Sequence, residues 1–430
     1  MLTSSIIIIH LLTNLLTMIQ KLIALIITAC LNVAFVNNIE ILPSSNSDIY
    51  IYGKVYTDDD DVYEGQIRWG KEEAFWFDHF NSSKPENENL EFLSRKELRN
   101  LDGDHNYSEI KSLFNWEVSW GNDHTHSFSC EFGNIKALEI GRRGRLELEL
   151  KNGEKLDLEG GSNDIGTYVQ VTDPTLGHIK VDWDRIERVE FMQAPVGFES
   201  HYGAPLYGTV ESESGEEFTG YVQWDHDERL AYDELNGKNR DGEIDLEFAN
   251  IKSIERDIRS AIVTTQSGRS LKLRGTNDVN SENRGIIVNI PGQGRVDIPW
   301  DEFERVTFST PKMGIVNYDD YDASLEIRGS VETEDGDKVD GRIIYDLDES
   351  YQFEILNGKK DGIEYFIPFQ LIKSIQPSSR KRAVVTLKSG KELKLEDSVD
   401  VNEDHDGLLV FGSDDEPRYI PWHDVASIRL

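Results

Sequence analysis

Cysteine is almost missing from this 430-residue chain, which has only Cys30 and Cys130. A disulfide-stapled scaffold and a zinc cage of thiolates are therefore excluded. Positive charge is scarce too: 45 Lys and Arg stand against 80 Asp and Glu, a formal charge of −35. A field of that sign repels phosphate backbones and anionic lipid, which excludes nucleic acid and a charged membrane surface as partners of the body of the protein. The sequence also lacks a Gly-rich phosphate loop, a His-Glu-x-x-His helix and a nucleophile elbow. What it does have is 38% hydrophobic and 10% aromatic residues. That is too rich in core formers for a disordered acidic chain, so the sequence folds.

The long apolar run is confined to the N-terminus. Lys21 is the only Lys or Arg before Lys54, and it divides the segment. Met18 to Lys21 followed by Leu22 to Ala29 reads as the charged and apolar regions of a secretory signal, with Met18 as the natural start and residues 1–36 as the targeting segment. Ile27-Thr-Ala-Cys30 resembles the lipobox of bacterial lipoproteins, which makes Cys30 a candidate lipidation site, and a plain cut near Ala34 is the alternative. A retained anchor is a third reading, although the apolar run after Lys21 falls short of the ~20 residues a span needs. All three place the body outside the cytoplasm, in the periplasm or at the outer membrane or cell surface, and touch the membrane only through a lipid or an uncleaved signal.

Three segments repeat: 51–193, 205–310 and 326–430. Gly53, Gly208 and Gly329 each lie twelve residues before a second glycine, Gly65, Gly220 and Gly341, and an aromatic follows four residues later at Trp69, Trp224 and Tyr345. Next come Phe132-Gly-Asn-Ile135, Phe248-Ala-Asn-Ile251 and Phe369-Gln-Leu-Ile372, then hairpin turns at Asn152-Gly153, Ser267-Gly268 and Ser389-Gly390. Each copy closes on a tryptophan-led turn, at Trp183, Trp300 or Trp422. A second level of repetition lies within each copy: Ile367-Pro-Phe369-Gln-Leu-Ile372 has the form of Ile420-Pro-Trp422-His-Asp-Val425. Each copy is thus two units of about 50 residues.

Alternation of period two, as in Val385-Thr-Leu387-Lys-Ser-Gly390-Lys-Glu-Leu393-Lys-Leu395, predicts hairpins with one buried face. The Pro-aromatic corner ends one strand, makes a short turn and starts the last strand. The expected class is all-β. Three tandem repeats, each two small antiparallel barrels, give six units that resemble the SH3-like and Sm-like barrels, and a six-bladed propeller is the alternative. The expected core of the second copy is Val210, Val222, Trp224, Ile251, Ile254, Leu271, Leu273, Val288, Trp300, Phe303 and Val306. The first copy carries an insertion at about 81–120: Trp69 to Phe132 takes 63 residues where the other copies need 24. Ser94-Arg-Lys-Glu97 in it is a capping box, predicting a short helix with Leu93, Leu98 and Leu101 along it.

Candidate chemistry sits in loops. Asp278-Val-Asn280-Ser-Glu282 and Asp400-Val-Asn402-Glu-Asp404 read first as Asx-turns, and they also offer oxygens at alternate positions, an incomplete form of the calcium-loop pattern. The first copy keeps only Asp164. Asp225, Asp227 and Glu228, with Asp346, Asp348 and Glu349, follow the aromatic of the first unit and suit either a cation or paired-carboxylate hydrolysis. His124, His126 and Cys130 could hold a transition metal. Trp76, Trp116 and Trp120 could form an aromatic platform for a sugar or protein partner, or a satellite core.

Scaffold residues recur while candidate polar residues vary. The expected function is therefore an exported, non-enzymatic binding or structural module of the bacterial cell envelope, with a protein or glycan partner and no cofactor unless calcium. The alternatives are an envelope glycan hydrolase near the first-copy insertion and a calcium-binding repeat protein.

Overall fold

In the computed structural model, residues 49–430 are described, except 86, 105–125, 142–143, 161–163, 199, 201, 312–315, 324 and 414–416. The whole targeting segment, with Cys30, lies outside the described residues, as do Trp116, Trp120 and His124. Among the described residues no helix is long and apolar enough to cross a membrane.

The protein is all-β, and the period-two alternation appears as strands. In the first segment these are β1 (Tyr52–Thr57), β2 (Val62–Trp69), β3 (His79–Lys84), β4 (His126–Glu131), β5 (Ile135–Ile140), β6 (Arg145–Leu150), β7 (Lys155–Glu159), β8 (Val169–Asp173), β9 (Gly177–Val181) and β10 (Ile186–Phe191). They form one antiparallel sheet in the order β4-β3-β7-β6-β5-β10-β1-β2-β8-β9. If β1–β5 are exchanged for β6–β10, this order reads the same from its other end. The centre is the β5–β10 pair, with Val189 opposite Leu138.

The same pairings recur further along the chain. Tyr207–Ser212 joins Glu217–Trp224 and Phe303–Phe308, and Glu217–Trp224 joins Ile286–Ile290. Arg328–Thr333 joins Lys338–Tyr345 and Val425–Arg429, and Lys338–Tyr345 joins Leu408–Phe411. Gly294–Ile298 pairs with Ile363–Pro368, which fuses the second and third segments into an 18-stranded sheet. The expectation of closed barrels is corrected here. Among the described residues the strands join into sheets of ten and eighteen, the larger one continuous across the second and third segments, rather than into separate closed barrels or four-stranded blades.

The recurring glycines explain how tightly the sheets curl. Gly53 lies opposite Gly65, Gly208 opposite Gly220 and Gly329 opposite Gly341. A Cβ at Gly220 would lie 2.1 Å from the Asn289 carbonyl oxygen, on the strand that crosses over it. Only glycine allows that approach.

The aromatic corners form one-turn 3-10 segments: Phe132–Asn134, Trp183–Arg185, Phe248–Asn250, Phe369–Leu371 and Trp422–Asp424. Trp300 starts a turn closed by Phe303 N–H on its carbonyl at 3.3 Å. Of the eleven expected core residues ten are buried, and Leu271 is half-buried against them.

The insertion forms the helix α1 (Arg95–Asp104) behind the expected capping box. Glu97 Oε2 accepts from Ser94 N–H at 2.7 Å, and Ser94 Oγ accepts from Glu97 N–H at 3.3 Å. Leu98 and Leu101, with Leu90 and Leu93, pack on Ile344, Leu347, Leu409, Phe411 and Tyr419 of the third segment. The insertion is therefore a brace between segments.

Candidate functional site

The recurring polar residues are drawn inward by strand geometry. Each of Trp69, Trp224 and Tyr345 ends a strand with its ring in the core. The ring's polar end then needs an acceptor. Trp69 Nε1 donates to the Asp164 carbonyl at 2.8 Å, Trp224 Nε1 to the Asp278 carbonyl at 3.0 Å, and Tyr345 Oη to the Asp400 carbonyl at 2.5 Å. The same aspartates turn their carboxylates inward to accept backbone N–H groups. Asp164 Oδ2 accepts from Asn81 at 2.7 Å, Asp278 Oδ2 from Asn236 at 2.6 Å and Asp400 Oδ2 from Asn357 at 2.5 Å. Each aspartate thus ties the loop of the second half of a segment to the third strand of its first half. Sequence reading missed Asn81, Asn236 and Asn357, although each follows its aromatic by twelve residues.

After the aromatic the chain reverses through two left-handed residues. Asp225 and His226 have φ of 47° and 65°, and Asp346 and Leu347 have φ of 49° and 58°. Asp and His are among the residues that tolerate this region. The reversal sets Glu228 back opposite Trp224, and Glu73 and Glu349 likewise opposite Trp69 and Tyr345. Carboxylate oxygens of Asp225, Glu228 and Asp278 come within 4.8 Å of one another. Arg284 lies against this group, 2.6 Å from Asp227 and 3.6 Å from Asp225.

Burial governs the protonation of these groups. It pushes Glu228 up to about 10 and Asp278 to about 6, with Asp227 adding like-charge repulsion to both. Asp164 and Asp400 rise to about 7, and Glu73, Asp346 and Glu349 rise well above the carboxylate range, each first through burial.

A third set crosses between segments. Asp78 Oδ2 caps the N–H of Ala74 and Phe75 at 2.7 and 2.8 Å, and its other oxygen meets Arg229 of the second segment. Asp233 caps Arg229 and Leu230 in the same way and meets Arg68 of the first segment at 2.9 Å. Glu354 caps Ser350 and Tyr351 and meets Lys84 of the first segment at 2.8 Å. Each turn acid therefore takes its cation from a different segment. The sequence held a signal for this set too, since Asp78, Asp233 and Glu354 each lie nine residues after Trp69, Trp224 and Tyr345. The cations that meet them fall at unrelated positions, so only the fold could show the pairs.

The structure separates the expected calcium ligands. Asp278 and Asp400 face the interior, whereas Glu282 and Asp404 are exposed. Asn280 Oδ1 accepts from Glu282 N–H, and Asn402 Oδ1 from Asp404 N–H, both at 2.7 Å, which are Asx-turns. Trp76 has no exposed surface. Its ring lies 4.6 Å from Tyr318 in the core, so it offers no face to a ligand. Phe75 and Phe77 pack on Tyr221 and join the first segment to the second. Burial raises the Cys130 thiol well above its usual range. A cavity of about 20 Å³ beside Glu349 has room for one water or one ion and not for a sugar ring.

No family model matches the chain, and no curated protein matches it. A solved structure titled streptogramin B lyase aligns at 10% identity over 69% of this chain and 94% of that one, with a TM-score of 0.14. That likeness is too slight to bear on fold or function.

Proposed function

We propose that the chain is an exported, non-enzymatic β-repeat module of the bacterial cell envelope. It is built from six SH3-like units in three intertwined pairs, and it binds a protein or glycan partner through its outer surface. The strand order supports the units: with strands counted within each half, β1–β5 and β6–β10, both β10-β1-β2-β8-β9 and β5-β6-β7-β3-β4 run fifth, first, second, third, fourth, with a 3-10 turn before each fifth strand. Each unit takes two strands from one half of its repeat and three from the other, so neither half completes a core alone.

One observation carries the non-enzymatic reading. Asp164, Asp278 and Asp400 are buried and engaged with backbone amides and aromatic-bearing loops, and Asp78, Asp233 and Glu354 are engaged with backbone amides and cations of neighbouring repeats. Groups engaged in that way hold an architecture together. A glycosidase instead needs two carboxyl groups facing a cleft that admits a sugar.

Two experiments test the proposal. Residues 18–36 fused to a reporter active only outside the cytoplasm are expected to export it, and a silent fusion removes the envelope assignment. The purified chain is expected to leave a panel of envelope glycans intact. Turnover lost on Glu228→Gln or Glu349→Gln would establish the hydrolase instead.

A further inference from the structure

The strand pairing that joins the second segment to the third has no counterpart between the first and the second. Gly294–Ile298 runs antiparallel to Ile363–Pro368, with Arg295 opposite Phe366, Val296 opposite Tyr365 and Asp297 opposite Glu364. The spacing that aligns Trp183 with Trp300 aligns β9 with the first of these strands, and the spacing that aligns Trp224 with Tyr345 aligns Glu243–Glu247 with the second. Among the described residues both are edges: β9 pairs only with β8, and Glu243–Glu247 only with Glu234–Lys238. Within the chain the first and second segments are joined by other means, the Asp78–Arg229 and Arg68–Asp233 pairs and the Phe75 and Phe77 rings on Tyr221.

The two edges are complementary. In the register of the observed pairing, His178 stands opposite Asp245, Ile179 opposite Ile244 and Lys180 opposite Glu243. An ammonium faces a carboxylate, an imidazole faces a second carboxylate, and two isoleucines meet between them. Opposite charges and apolar pairs set directly across from each other stabilise an antiparallel ladder. The observed pairing holds with two carboxylates, Asp297 and Glu364, at the position where these edges place Lys180 and Glu243.

Burial and backbone point the same way. Val296 and Tyr365, which meet across the observed pairing, are 2% and 3% exposed, whereas their counterparts Ile179 and Ile244 are half-buried. His178, Lys180, Glu243 and Asp245 are exposed. Gly177 corresponds to Gly294, and their φ values are 82° and 96°. A Cβ at Gly294 would lie 2.5 Å from the Phe366 carbonyl oxygen on the paired strand, so β9 keeps the backbone that admits a neighbouring strand. Charge on a sheet edge ordinarily prevents pairing. Here the signs are opposite at matched positions, so each edge rejects its own kind and accepts the other.

We propose that β9 of one copy adds to the Glu243–Glu247 edge of a second copy of this chain, in the register that joins the second and third segments. The contact unites different surfaces of two molecules, so it is heterologous and builds a ring or a row of copies according to the rotation between them. The outer surface of the proposed binding module thus finds a protein partner in its own kind, and the association is measured on purified chain, apart from export and glycan turnover.

Sedimentation velocity and light scattering follow the full chain from low to high micromolar concentration in about 0.15 M salt. There a Debye length of about 8 Å screens the repulsion between two acidic copies more than it weakens side chains in contact. The wild type is expected to gain mass with concentration. Lys180→Glu and Glu243→Lys each set like charges across the ladder and should weaken association about tenfold. They move the net charge in opposite directions, so overall repulsion alone would weaken the first and strengthen the second. An equimolar mixture of the two variants opposes unlike charges again and should regain the association that each has lost. The proposal fails if the wild type stays monomeric throughout, if either variant associates like the wild type, as it would through the apolar N-terminus, or if the mixture associates no better than its components. Glu243→Lys also loses Lys238, 2.7 Å away on the neighbouring strand; should it not fold, the same cycle with His178→Glu and Asp245→Lys decides.

Discussion

The buried aspartates give this protein a pH dependence of unusual sign. Most proteins lose stability in acid because ionised native carboxylates must be protonated. Here Asp164 and Asp400 are 3% exposed, and burial raises each from 3.8 to about 7. The folded form therefore holds protons that the unfolded chain has released. A carboxyl whose folded value exceeds its unfolded value contributes stability that is complete below the unfolded value and is lost as pH rises through the folded one. The window runs from about pH 4 to about pH 7. Each pH unit of difference is worth ~1.4 kcal/mol, so each aspartate accounts for about 4 kcal/mol across the window, and the two together give a slope of about 3 kcal/mol per unit between pH 5 and 6.5.

Urea unfolding midpoints from pH 5 to 8 in EDTA measure this slope. The charge of −35 contributes with the same sign, so the decisive comparison is with the double variant Asp164→Asn, Asp400→Asn. Asn keeps an oxygen for the Asn81 and Asn357 amides and cannot ionise, so the slope should fall by about two protons. A variant with the wild-type slope, or a wild type that gains stability from pH 5 to 7, would refute the reasoning.

Three further outcomes follow from the packing. Arg229→Met strands the Asp78 carboxylate, 2% exposed on its side chain, and should cost about 3–5 kcal/mol; a loss under about 1 kcal/mol in urea titration would show that the pair does not join the first two repeats. Gly220→Ala places a Cβ against the Asn289 carbonyl and should destabilise by about 3 kcal/mol or prevent folding, whereas Gly215→Ala, with φ of 81° and open space around it, should cost about 1 kcal/mol; equal losses contradict the close-crossing account. Glu228→Gln replaces a side chain that burial already keeps protonated at pH 7, so stability there should change by less than about 1 kcal/mol, and a large loss in thermal melts would mean that Glu228 is ionised.

How much of this was legible in the sequence differs from element to element. The alternation in Val385–Leu395, the Pro-aromatic corners and the capping box at Ser94 are local codes, each read by a backbone a few residues away, and they appear where the sequence placed them. The candidate ligands depend on distant partners. Asp278 looked like the start of a loop of oxygens because Asn280 and Glu282 follow it, yet its carboxylate turns to Asn236, 42 residues earlier. Trp76 looked like a platform beside an insertion, and Tyr318 from the linker between the second and third repeats covers it.

By itself the sequence determined the all-β class, the near-identical spacing of three copies and the inner face of nearly every strand. Hydrophobic period and turn chemistry act over a few residues, and copies of one pattern must bury the same face. Only the tertiary structure decided which distant strands pair and which segment lends each turn acid its cation. Those depend on the crossing of strands far apart in the chain and on desolvation at the point where they cross. Neither has a local signature, because the same aspartate reads alike whether water or a neighbouring repeat surrounds it.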